Sequence, residues 1–343
     1  MSRRISNSIA SASLLLAILL WSGSAQAADE SVDRDKPDIL VILTDQWNPK
    51  CLGYAGNADV STPNLDSLAA EGMVFSNCYT HCPVCMPARC GLISGLYPHN
   101  LGLFGNASDY YLPPRLGRMF QDLQAASYTT AQIGKLHWHG GPAAREHFGA
   151  MDAYYEALGL DHCQSLPSPA STATGSGPYQ DHLRAIGRLD AYLRDFANRW
   201  EIGSYVPSPG VVEPADHNDM FVADTATSYL RQLPHGKPYC LVVSFPGPHP
   251  PLDAPGEYAT MFAPEDVRLP VNVPEETSYE GTDFDRQKLK QALANYYGKM
   301  ALIDDAVGHI VKTVMRRGSW ENTLVVFTSD HGEMMGAHGR FSK

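Results

Sequence analysis

The sequence predicts an α/β domain: a mostly parallel central sheet with helices on both faces. Three observations carry this. Apolar runs without alternation recur at residues 38–43 (DILVIL), 239–245 (YCLVVSF) and 324–327 (LVVF), the pattern of strands covered on both faces, as parallel strands are. Segments of helical period lie between them, with no internal repeat. The 343 residues are 44% hydrophobic and 18% charged, enough for one large core or two medium ones and unlike a disordered or multi-span membrane chain.

In chain order, the first element is an address. Arg3 and Arg4, an apolar run at residues 14–21 and Ser24-Ala25-Gln26-Ala27 have the three-part plan of a secretory signal peptide over residues 1–27. Its apolar core is too short for a bilayer, so the expectation is a periplasmic or secreted protein without stable membrane insertion. Disulfides persist in such compartments, and seven cysteines, an odd number, leave at least one unpaired or modified.

After the strand at 38–43, Thr62-Pro63 opens a helix that stops at Gly72. A short strand at 73–75, a helix at about 88–94 and a strand at 128–133 follow. Residues 161–180, rich in Ser, Pro, Thr and Gly, read as an exposed insertion or linker. Residues 181–200 and 218–233 read as helices. A long amphipathic helix runs from about Asp285 to Arg316-Arg317-Gly318, a basic last turn and a glycine stop. Residues 329–343 form a polar loop without the return helix that a parallel strand calls for, which predicts that a C-terminal part of the domain is missing.

A net charge of −11, with no Lys/Arg block outside the N-terminus, excludes an electrostatic grip on nucleic acid. An acidic protein that handles an anion must concentrate positive charge locally, on a metal or a few Lys and Arg. In open α/β sheets, sites form beyond the carboxyl ends of strands. Asp45-Gln46 and Asp330-His331 stand at two such ends and offer oxygen ligands with one imidazole, a set suited to a hard divalent ion. Taken singly, each motif is also what a turn cap looks like. Between them, Cys85 precedes a helix, near its free amides and positive dipole end, and Arg89 lies one turn on, facing the same side. Cys82 and Cys85 also fit a C-x-x-C redox pattern, but without the strand context of a thioredoxin-like unit.

Cys85-Met86-Pro87-Ala88-Arg89, closed by Ser94-Gly95, resembles the C-x-P-x-R signature of the formylglycine-dependent sulfatases in the alkaline phosphatase superfamily. The resemblance extends through Ser61-Thr62-Pro63-Asn64-Leu65-Asp66, Leu96-Tyr97-Pro98, Gly134-Lys135-Leu136-His137, Pro248-His249-Pro250-Pro251 and Thr328-Ser329-Asp330-His331-Gly332-Glu333, with Lys343 in the place of a family lysine. Many sulfatases carry Asp-Asp and Asp-Asn where this chain has Asp45-Gln46 and Asp330-His331. Both variants look like those of choline sulfatases, phosphonate monoester hydrolases and some carbohydrate sulfatases, and Asn106 fits that branch.

The resemblance implies that residues 28–343 are a sulfatase catalytic domain and that a maturation enzyme oxidises Cys85 to formylglycine, whose hydrate is the nucleophile. It implies a calcium ion, with magnesium or manganese as alternatives, held by Asp45, Gln46, the modified Cys85, Asp330 and His331, with Asp330 as nearest base. Arg89, Lys135 and Lys343 would stabilise charge on the sulfuryl oxygens, His137 would assist collapse of the sulfated hydrate, and His249 would protonate the leaving oxygen. Asn106, Lys135, His249 and Lys343 would contact substrate; His338 and Glu333 stand behind them, with Glu333 expected in solvent. Export favours a sulfated carbohydrate, small or oligomeric. A phosphonate or phosphate ester hydrolase, a choline sulfatase and an inactive fragment or binding protein are the alternatives.

Overall fold

The computed structural model describes residues 36–140, 151–166 and 176–343. The expected signal sequence at 1–27 and residues 167–175 of the Ser/Pro-rich stretch lie outside the described residues. Five parallel strands form the central sheet: β1 (Asp38–Asp45), β2 (Thr129–Lys135), β3 (His162–Leu166), β4 (Tyr239–Pro248) and, after a small antiparallel pair β5 (Glu276–Tyr279) and β6 (Thr282–Asp285), β7 (Thr323–Ser329). Their order is β3-β2-β4-β1-β7.

The unalternating runs are explained by two covered faces. Leu40, Ile42, Leu241 and Val243 join one apolar cluster, while Val41 and Val242, one residue out of phase, join another. On the first face lie helices α7 (Asn218–Gln232) and α8 (Arg286–Arg317); on the second, α2 (Cys85–Ser94) and α3 (Arg118–Ala125) contribute Met86, Ile93 and Phe120. Each such fully buried side chain contributes about 1.5–3 kcal/mol relative to exposure. Helix α8 starts where the Asp285 carboxylate accepts from the Lys288 amide at 2.8 Å, and stops at Gly318, whose φ of 77° is left-handed. Helix α1 (Pro63–Glu71) has its proline in the first turn, and Asp304 of α8 accepts from the Asn64 and Leu65 amides at its open end.

Several expectations need correction. Residues 73–75 are not a strand: no neighbouring strand pairs with them, and Met73 and Phe75 are 80% and 73% exposed. Residues 162–166, placed in an insertion by composition, are the edge strand β3, paired with β2 from Ala131–His162 to Lys135–Leu166. The helix at 181–200 is two, α5 (Pro178–Ala185) and α6 (Leu189–Ile202), divided at Gly187, whose φ is +71°. The helix at 88–94 begins at Cys85, because Pro87 in its first turn needs no hydrogen-bonded amide. Helices α3 and α4 (Asp152–Ala157) and the β5–β6 pair carried no sequence prediction. No described helix is long and apolar enough to cross a membrane.

Candidate active site

Strand register brings the two acidic motifs together. β1 and β7 run side by side with Thr44 opposite Ser329, so Asp45 and Asp330 emerge next to each other at the carboxyl end of the sheet. The Asp330 amide donates to Thr44 O at 3.1 Å, and Gln46 turns away with a left-handed φ of 66° while its amide donates to Asp330 Oδ1 at 3.1 Å. Lys135 ends β2, two strands away, and Gly134 before it is required there. A Cβ on Gly134 would lie 1.9 Å from Ser244 O of β4, and its φ is +103°. His137 follows in the left-handed region at φ 59°, an uncommon conformation that clusters at functional sites.

Helix α2 delivers Cys85 and Arg89 into this end, both almost fully buried. Its glycine at 91 permits close packing: a Cβ there would meet His81 Nε2 at 1.9 Å. The Met86 amide in its first turn donates to Asn106 Oδ1 at 3.1 Å, so Asn106, itself exposed, sits beside the Cys85 backbone. Arg89 donates to Asp330 Oδ2 (2.7 Å), Asp45 Oδ2 (3.3 Å), Lys135 O (2.8 Å) and Ser244 Oγ (2.8 Å). Its guanidinium thus holds the two carboxylates in place. Lys135 Nζ pairs with Asp45 Oδ2.

The Cys85 thiol is the meeting point. Its Sγ lies 3.2 Å from His331 Nε2, 3.2 Å from Lys343 Nζ and 3.8 Å from Asp45 Oδ1. The carboxylate bonded to it is therefore Asp45 and not Asp330, whose oxygens accept from Arg89, Gln46 and the His331 amide. Lys343 also donates to Gln46 Oε1 at 2.8 Å and approaches His249 Nε2 at 3.3 Å, so the last residue of the sequence lies in the site. The turn that returns it is closed by Met334 N to Ser342 O (3.0 Å) and Gly336 N to Arg340 O (2.7 Å).

Electrostatics follow from this crowding. Burial opposes ionisation of Cys85, but Lys135 and hydrogen bonds from His137, His249 and His331 hold its thiol well below the ordinary range. Burial and the neighbouring thiolate push Asp45 up, and Lys135, His249 and Arg89 outweigh them and bring it down. Burial and the Asp45 charge push Asp330 up. Burial lowers His137, whose Nδ1 is buried without a partner. His331 is raised: burial opposes, but Cys85, Asp330 and Asp45 win.

Among the described residues, Asp45, Cys85, Asp330 and His331 form a group whose ligand atoms all lie within 4.8 Å of one another. Gln46 adds a carbonyl oxygen aimed the same way, because its Nε2 is held on the far side by Tyr205 OH (2.9 Å) and Glu333. Glu333, expected in solvent, is 5% exposed and also accepts from Tyr205 OH (2.6 Å) and the Met335 and Ser342 amides (2.9 and 2.7 Å). It thereby fixes both Gln46 and the turn that carries Lys343. The signal for it was its place three residues after Asp330, but burial could not be read from one acidic letter. Tyr205 and Ser244 carried no signal. His338 is exposed beside Asn272 and outside the cluster. All seven cysteines are free thiols, so Cys85 is not bridged to Cys82 or Cys90.

A family model described as sulfatase matches residues 37–343. An ulvan-active sulfatase from Formosa agariphila is 32% identical over 94% of this chain and 55% of its own length, and an arylsulfatase from Clostridium perfringens is 30% identical over 90% and 65%. The phosphonate monoester hydrolase of Agrobacterium radiobacter superposes with a TM-score of 0.72 at 26% identity, over 90% of this chain and 65% of its own. The chain spans between half and two-thirds of the length of these two curated relatives.

Proposed function

The chain belongs to the sulfatase family, and on that premise we propose that it hydrolyses the sulfate ester of a carbohydrate through a formylglycine made from Cys85, with a divalent cation in the adjoining acidic cluster. The observation that carries the reading is the Cys85 thiol at the first turn of a buried helix, within reach of His331, Lys343 and Asp45 at once. A disulfide or packing cysteine has no use for such company.

The donor set fits a hard cation. Asp45, Asp330, the Gln46 carbonyl and His331 would hold it together with the modified residue at position 85, and the oxygen majority favours calcium, with magnesium or manganese able to use the same ligands. Two buried carboxylates facing one point are offset by Arg89 and Lys135, with His331 beside both. When bound, the cation would neutralise sulfate oxygens and favour ionisation of an adjacent hydroxyl. A hydrated aldehyde at position 85 supplies two hydroxyls on one carbon, one to attack sulfur and one whose oxygen re-forms the aldehyde as sulfate departs.

The remaining work belongs to side chains already in place. Lys135, buried, and Lys343, exposed at the rim, face the sulfuryl position with positive charge. His249 bonds Pro250 O at 2.6 Å through Nδ1, which must carry the proton because a carbonyl only accepts. Nε2 gives a proton to the leaving alcohol oxygen from the imidazolium form, in which both ring nitrogens carry hydrogen and Nδ1–H stays on the Pro250 carbonyl. His137, kept neutral by burial, takes the proton from the second hydroxyl. The balance is an ester and water converted to an alcohol and hydrogen sulfate. Asn106 lies at the rim, beside the backbone of residue 85, to contact the substrate.

Carbohydrate as the substrate is supported by the signal-peptide pattern at residues 1–27, which would export the enzyme to where sulfated polysaccharides occur, and by the ulvan-active relative. Maturation of Cys85 requires a formylglycine-generating partner. The likeness to a phosphonate monoester hydrolase supports a second reading, the same nucleophile acting on a phosphonate ester. Turnover of para-nitrophenyl sulfate and of a matched phosphonate monoester by the full-length protein separates the two. Sulfate release that falls by roughly 10⁴-fold or more in Cys85→Ala, with folding unchanged, is expected; faster turnover of the phosphonate would replace the first reading by the second.

A further inference from the structure

The end of β4 and the segment after it, residues 247–253, carry His249 and are held from behind by three buried charged side chains on three different helices. Asp219, in the first turn of α7, accepts from the Gly247 amide at 2.9 Å. Lys299, in the middle of α8, donates to His249 O (2.9 Å), Pro251 O (2.8 Å) and Asp253 Oδ1 (2.7 Å). Arg199 of α6 reaches Leu252 O at 3.4 Å. Asp219, Lys299 and Arg199 are 0%, 2% and 1% exposed, so none of them meets substrate.

We infer that Lys299 is a positioning residue for proton transfer by His249: by tying the carbonyls on both sides of Pro250, it orients the Pro250 carbonyl that fixes the His249 ring and its reactive Nε2. The inference rests on the reading of His249 as the proton donor to the leaving group. Its logic is geometric. Three consecutive residues carry carbonyls at 249, 250 and 251; the outer two are bound by one ammonium and the middle one by the imidazole itself. An ammonium has three donors, and Lys299 uses all three on this segment. A buried lysine is a costly way to hold a loop, and here the Asp253 carboxylate balances its charge. Loss of the clamp would leave the segment anchored at Gly247 and Leu252 but free to re-aim the imidazole, and misplacement by ~1 Å can cost about 10²-fold in rate.

The test is leaving-group dependence, which a general loss of fold does not produce. The full-length, matured protein is assayed on a series of sulfate esters running from para-nitrophenyl sulfate to an alkyl sulfate, where proton donation matters more as the alcohol becomes less acidic. His249→Ala should steepen the dependence. Lys299→Met should steepen it in the same sense, with roughly 10²-fold loss on the alkyl ester and a loss of only a few-fold on the aryl ester. Added to His249→Ala, it should cost little more. Because Lys299→Met removes the ammonium bonded to Asp253, leaving His217 at 3.7 Å beside that carboxylate, and can unfold the chain, Lys299→Met/Asp253→Asn is measured beside it; that pair reduces the charge imbalance without restoring the missing donors, and should show the same steepening. A uniform loss across the series in both Lys299 variants, with His249→Ala steep, overturns the inference alone. A flat His249→Ala series, or no sulfate turnover by the wild type, overturns the reading of the site and the inference with it.

Discussion

Two buried ionic clusters share His249 between them, and they are built to opposite ends. Around Cys85, the Asp45, Asp330 and His331 ligand atoms converge with the thiol to within 4.8 Å, and the imidazole of His249 faces them across Lys343. Behind the backbone of His249, Lys299, Asp253, His217 and Asp219 are equally buried, yet their bonds go to one another or to main chain. Burial and ion pairing are therefore not what marks the site. What marks it is that the cations around Cys85 hold carboxylates in place without using up the atoms that face Cys85. In the second cluster, every Lys299 donor is consumed by the segment it holds.

The sharpest way to break this comparison is to remove one cation from each cluster. Arg89→Met leaves two buried carboxylates without their shared partner and should cost about 3–5 kcal/mol in denaturant unfolding, together with all measurable turnover. Lys299→Met should also destabilise, but Asp253→Asn added to it should recover part of the loss, since Lys299 faces one carboxylate only. A cost below about 1 kcal/mol for Arg89→Met would mean that the carboxylates near Cys85 do not depend on it.

A smaller effect is expected where the backbone, not charge, positions the site. Gly134→Ala forces a Cβ against Ser244 O at a φ of +103° and should destabilise by about 1–3 kcal/mol, with lowered turnover because Lys135 is the next residue. Thermal unfolding and steady-state rates check it; a neutral substitution would show that β2 and β4 can separate there without cost.

The smallest effect belongs to the second cluster and is a pH dependence. His217, the cap of α7, faces Asp219 in the first turn of that helix and Asp253 on the adjoining segment, with Lys299 beyond Asp253 and Arg199 on α6. Burial lowers its pKa, but the two carboxylates outweigh burial and raise it above the ordinary imidazole value of 6.5. A raised folded value stabilises the fold fully below that ordinary value, and the contribution disappears as pH rises through the folded one. The stability difference between wild type and His217→Gln should shrink upward from pH 6.5. A difference constant with pH would show that His217 carries no charge in the folded protein.

How much of this was legible depended on whether one residue type forces one structure. The run DILVIL admits little but a strand covered on both faces, and the Asp285 cap with the Gly318 stop bounds α8 to within a residue. The cysteine–arginine spacing likewise put both side chains on one face of α2. His162–Leu166 was missed because an edge strand of mixed composition has no periodicity to show, and residues 73–75 misled because an apolar triplet is too short to define its own pairing. Glu333 and Lys299 are ordinary surface letters in sequence; only the return of the 329–343 loop and the cis-side packing of α8 bury them. For Arg89, sequence spacing supplied a helix face but not the four acceptors that surround the guanidinium.

The central claim is that the crowding around Cys85 exists to make and use an aldehyde. Peptide mass spectrometry of the full-length protein, with a hydrazide probe for carbonyl groups, tests it most directly. The account predicts a Cys85 peptide lighter by the conversion of CH₂SH to CHO and captured by the probe. An intact Cys85 thiol in protein that nonetheless cleaves sulfate esters, or a disulfide from Cys85 to Cys82 or Cys90, would contradict it.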